Sequence, residues 1–110
     1  MTIPAEILAE LEALRDSFRQ DAREQARGLA ARWAALKADL AQAPERAGAE
    51  IRELAGEAHR LAGTAGTFAL GALAGAACGL EAYLERMLEE PAIDTGRGDA
   101  LMAEVTAALA

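Results

Sequence analysis

The sequence predicts an all-α protein, an antiparallel up-down-up-down four-helix bundle with a long or split N-terminal helix, built as a single domain over residues 1–110. Three observations predict it. Alanine, the strongest helix former, recurs throughout, while the β-branched residues that favour strands are scarce. Apolar residues return at spacings of three and four, the period that sets them on one side of a helix. Breaks in that rhythm fall at Pro44 and Gly48, at Ala69 to Gly71, and at Pro91 to Gly98. Links this short make successive helices antiparallel neighbours. Aromatic residues are limited to Phe18, Trp33, Phe68 and Tyr83, so the core must come from Leu, Ile and Ala on helix faces.

The first helix is expected from near Pro4 to about Ala41. Ile7, Leu11, Leu14, Phe18, Ala22, Ala26, Leu29, Trp33, Leu36 and Leu40 sustain its rhythm, and Pro4 suits a first turn, where its missing N–H would have had no helical partner. The stripe weakens to alanine between Arg19 and Glu24, where a bend or split is expected. The first helix is longer than the others, so its N-terminal part is expected either to overhang the bundle or to cap one end, capping being favoured because such an end leaves apolar surface to cover; a dimer contact through Ile3 and Ile7 is a further alternative. Ala41 to Gly48 forms the first connection. The second helix carries the stripe Ile51, Leu54, Ala58, Leu61, Ala65 and Phe68. After a turn near Ala69 to Gly71, a third helix over about Ala72 to Glu90 turns Leu73, Ala76, Ala77, Leu80, Tyr83, Leu84 and Met87 inward, with Cys78 in or near the core. Pro91 stops it. Ile93 to Gly98 is a loop with an N-cap at Asp94 or Thr95, and a fourth helix over about Asp99 to Leu109 buries Leu101, Val105 and Leu109.

A formal net charge of -7 repels nucleic acid and anionic membrane, so a protein partner is expected instead. Cys78 is the lone cysteine, and no apolar run of about 18 residues or export leader is visible. There is no phosphate-loop pattern and no pair of His or Cys residues to hold a metal.

The single histidine, His59, lies in the second helix but off its stripe. At about 100° per residue it points roughly 130° from the stripe's mean direction, toward solvent or a partner. One turn away stand Ala55, Gly56, Ala62 and Gly63, with Gly66 two turns on, so open surface surrounds the ring. Each glycine inside a helix costs about 1 kcal/mol relative to alanine. Close approach of another backbone is one reason to keep them; a plain surface histidine in an Ala- and Gly-rich chain is the other reading.

The run from Ala58 to Glu81, AHRLAGTAGTFALGALAGAACGLE, resembles the signature of histidine-containing phosphotransfer (HPt) domains, A-H-x-[LI]-K-G-x-A-G-x-x-G followed by Leu, a small or Cys position and Leu-Glu. His59, Leu61, Gly63, Ala65, Gly66, Leu73, Leu80 and Glu81 fall on its positions. Gly63 to Phe68 is especially similar to the phosphotransfer domain of chemotaxis kinases. Two positions depart from the pattern. The usual Lys three residues after the histidine is Ala62, which removes a common phosphate-side contact, and the glycine ten residues after it is Ala69, with Gly71 two residues later.

The resemblance implies a stoichiometric phosphocarrier, not an enzyme with its own turnover, that relays phosphoryl groups from Asp to His to Asp between response-regulator receiver domains, with a hybrid histidine kinase as a further partner. His59 would be the phosphoacceptor, through Nε2, and Glu81 would bond the other ring nitrogen. The chain itself would hold no cofactor, Mg2+ residing on the partner receiver domain. Docking is expected on Gly56, Arg60, Ala62, Gly63 and Gly66. Arg52, two turns before His59 on nearly the same face, is expected to reach toward the phosphate. Ala62 leaves open a receiver-binding scaffold or inhibitor that keeps the fold without transferring. A monomer is expected, in the cytoplasm that the resemblance implies.

Overall fold

The computed structural model describes residues 3–90 and 94–110. They form four helices, α1 (Ala5–Gln42), α2 (Ala47–Thr67), α3 (Gly71–Glu89) and α4 (Thr95–Ala108), with a 3-10 turn at Pro44–Arg46. Pro91 and Ile93, the expected stop and loop start, lie outside the described residues. Each helix packs on its neighbours in sequence, and α1 closes the square against α4. This is the expected four-helix bundle. The most extensive pair is α2 with α3; both helices carry buried alanines, Ala58, Ala62 and Ala65 on one and Ala77 on the other, and short side chains let helix backbones approach. Leu29, Leu36, Leu54, Leu61, Leu73, Leu80 and Leu84 fill the centre, each contributing about 1.5–3 kcal/mol by leaving water. Ala76 and Phe68, both expected inward, are half-buried at the core's edge.

The first helix does not split. Ala22 is fully buried, so the weakening of the stripe to alanine marks a close helix approach. No Gly or Pro interrupts Ala5 to Arg27. A 38-residue helix measures about 57 Å at 1.5 Å per residue, and the longest extent of the molecule is 56 Å. With only 21 residues in α2, the N-terminal part of α1 overhangs the bundle and does not cap it, the less favoured of the two expected arrangements. Ile3, Ile7, Leu8, Leu11 and Leu14 stay 44–55% exposed along that projection. Contact with the bundle begins where Arg15 Nε donates to the Phe68 carbonyl at 3.1 Å and Phe18 stacks on Phe68 with ring centroids 5.1 Å apart.

Ala41 and Gln42 still belong to α1, and Ala47 and Gly48 already belong to α2, so the first connection is shorter than expected. The second is a Schellman turn: Leu70 N–H donates to the Ala65 carbonyl at 2.9 Å and Ala69 N–H to that of Gly66 at 3.1 Å. This geometry needs a left-handed residue, and Ala69 supplies it at φ 58°. The left-handed conformation costs an L-residue about 1–2 kcal/mol, part of which glycine's greater unfolded-state freedom would offset, so Ala69→Gly is expected to raise stability by about 0.5–1 kcal/mol in urea unfolding. An unchanged or lower midpoint would contradict strain at this turn.

Helix α4 begins at Thr95, four residues before the expected Asp99, because Asp94 caps it. The Asp94 carboxylate accepts the Gly96 N–H at 2.9 Å. Tyr83 Oη donates to the Asp94 carbonyl at 2.8 Å, and burial pushes the Tyr83 hydroxyl above its ordinary pKa. Asp99 accepts from Lys37 Nζ and Trp33 Nε1, each at 2.8 Å; those bonds, Lys37 foremost, hold its carboxyl below the usual range. Cys78, expected in or near the core, is exposed. It stands about 140° around α3 from the mean direction of Leu73, Ala77, Leu80, Leu84 and Met87.

Candidate functional site

The rotation of α2 about its own axis decides where His59 points, and two sets of contacts fix it. On the core side, Ile51, Leu54, Ala58, Leu61 and Ala65 are buried at 4% exposure or less. On the flank toward α1, Arg32 draws in three carboxylates spaced along α2: Glu57, Glu53 at 2.8 Å and Glu50 at 3.7 Å. What remains is the flank beside α3, where His59 sits with its side chain 73% exposed.

Helix α3 turns Leu80 and Leu84 into the core, which leaves Glu81, about 100° further round, at the groove between the two helices. Glu81 Oε2 lies 2.9 Å from His59 Nδ1. An ionised carboxylate only accepts, so in a neutral ring the hydrogen is assigned to Nδ1 and the lone pair to Nε2, the nitrogen without this bond. The expected pairing of His59 with Glu81 is therefore present in the geometry. A shallow depression around the ring is lined by Arg52, Gly56, His59, Arg60, Glu81 and Glu85.

The remaining candidates divide. Around a Cβ placed on Gly63 or Gly66 there is nothing within 4 Å, so no internal packing demands glycine at either position. Arg60 and Arg52 are both exposed. Arg60 folds back over Gly56, its Nη1 3.6 Å from where a Cβ would stand. Arg52 folds back over Gly48, with its Nη1 3.7 Å from the corresponding point, away from His59; the expected reach toward the ring is not what its side chain does. Ala62, expected on the open surface, is 9% exposed and belongs to the core cluster. The Arg32 contacts went unforeseen: Glu50, Glu53 and Glu57 form a readable acidic row, but their partner lies on another helix.

No cluster of three or more His, Cys, Asp or Glu side chains suited to a metal occurs among the described residues, and none of their helices is long and apolar enough to cross a membrane. No curated protein and no solved structure gives a significant match to the chain. The family model of the Hpt domain matches residues 5–110, all four helices and the His59 groove included. Domains of that family act in histidine phosphotransfer within two-component phosphorelays, as phosphocarrier modules that interact with receiver domains and histidine kinases. With a match over essentially its whole length and the helical bundle to accompany it, this chain belongs to the Hpt domain family.

Proposed function

We propose that the chain relays phosphoryl groups between receiver domains, Asp to His to Asp, with His59 as the carrier residue. The observation that carries this reading is the exposed imidazole held through Nδ1 by Glu81, with Nε2 making no hydrogen bond among the described residues and glycines that no packing demands nearby. The Nε2 lone pair forms an N–P bond as the P–O bond to the donor aspartate breaks, and the aspartate leaves as a carboxylate. The ring becomes cationic in that step, and Glu81, accepting from Nδ1–H, stabilises the charge. In the return step a receiver aspartate takes the phosphoryl group and the neutral ring is restored. In-line transfer also requires positive charge around the phosphoryl oxygens; the receiver domain is the expected source of Mg2+ and of a Lys.

Glycine at Gly63 and Gly66 costs helix stability without relieving any internal crowding. A receiver backbone closing over His59 would give both positions a use. The test is to incubate a phosphorylated receiver domain with the chain. Label is expected to move onto the chain in acid-labile, base-stable form. Receiver binding with no label would favour the second reading, a scaffold or inhibitor, for which the observation is Ala62 in place of a cation.

A further inference from the structure

We infer that Arg60 is the cation that holds the phosphoryl oxygens on His59, replacing the positive charge absent at Ala62. This rests on the carrier reading above. A phosphoryl group on Nε2 would bring about two negative charges beside Glu81 and Glu85, which line the same depression, and like charges at such range oppose its formation unless a cation lies nearby. Ala62 offers none, and its methyl is buried.

The cations lining the depression are Arg52 and Arg60. Arg52 lies back over Gly48, toward the start of α2. Arg60 lies back over Gly56, and helical side chains tilt toward the N-terminus, so the His59 ring leans over the same turn. Gly56 gives the guanidinium its seat, because a bulky side chain there would occupy the space that Nη1 fills. Among the described residues Arg60 pairs with no carboxylate, whereas Arg32 takes three and Arg19 and Arg86 take one each. An unpaired guanidinium has its full fork of donors available for phosphate oxygens.

The experiment uses phosphoramidate, a small donor whose N–P bond breaks with loss of ammonia as the N–P bond to His59 forms. Wild type, Arg60→Ala, Arg60→Lys, Arg52→Ala and Gly56→Leu are labelled alongside His59→Gln as blank, and the phosphoryl group is titrated by 31P NMR. Losing a neighbouring cation makes the phosphoryl group easier to protonate, so Arg60→Ala is expected to raise its titration midpoint by a few tenths of a pH unit. Labelling of that variant is expected to slow about threefold or more. Gly56→Leu should reproduce both changes, Arg60→Lys should recover part, and Arg52→Ala should match wild type. A wild-type midpoint in Arg60→Ala would overturn the assignment, as would a shift in Arg52→Ala alone. Absence of label on wild type would instead overturn the carrier reading, and this inference with it.

Discussion

Replacing His59 with glutamine is expected to abolish phosphorylation of the chain while leaving its melting transition in place. The two halves of this expectation come from different facts. Glutamine's amide nitrogen donates hydrogen bonds, but its lone pair is delocalised into the carbonyl, so it has no nucleophile to offer phosphorus. The His59 side chain is 73% exposed, so removing the ring empties no cavity. Its bond to Glu81 is of the exposed kind that contributes about 0–1 kcal/mol. The measurement pairs acid-labile label from a phosphorylated receiver domain with a thermal melt followed by circular dichroism. Residual acid-labile label would place the phosphoacceptor elsewhere, and a collapsed helical signal would contradict the outward placement of the ring.

Gly98→Ala is expected to be the most destabilising of the glycine-to-alanine changes in the chain. In an ordinary helix this substitution gains about 1 kcal/mol from propensity. Here the new methyl would stand 2.9 Å from Tyr83 Cε2 and closer still to the Trp33 ring. Neither ring is free to retreat. The two pack edge to face with centroids 5.9 Å apart; Trp33 is tied through Nε1 to Asp99 and Tyr83 through its hydroxyl to the Asp94 carbonyl. The first turn of α4 must therefore move outward, straining the bonds that anchor it. Overpacking of this kind costs about 1–3 kcal/mol, and with aromatic rings on both sides the upper end applies. Net destabilisation of about 2 kcal/mol corresponds to a fall in Tm of roughly 10 °C for a domain of this size. Trp33 fluorescence reports the transition at the affected contact. Gly63→Ala, whose methyl meets nothing within 4 Å, supplies the contrast and should melt no lower than wild type. A Gly98→Ala protein as stable as wild type would mean that α4 does not approach Trp33 so closely.

Much of the bundle was legible because helices bury one face and solvate the other. The stripe from Ile51 to Ala65 is buried as its spacing requires, and the same periodicity set His59 outside it. Legibility failed where the outcome depended on neighbours. Alanine between Arg19 and Glu24 reads equally as a weak point or as a close contact; only the packed Ala22 decides between them. Exposed Ile3 to Leu14 look like residues seeking cover, but the reach of α1 past the shorter helices leaves them outside the bundle. Ala69 was visible as a departure from glycine, while its left-handed backbone followed from the turn that joins α2 to α3.

The sequence by itself determined the helical class, the four segments, the outward angle of the single histidine and the phosphotransfer signature around it, because each is a property of residues within a few turns of one another. Only the tertiary structure decided that Glu81 meets Nδ1, that Arg60 lies over Gly56 and Arg52 over Gly48, that Ala62 is buried, and that Gly98 must remain glycine. These depend on the rotation of each helix against its neighbours, which packing across the whole core sets and local periodicity does not encode.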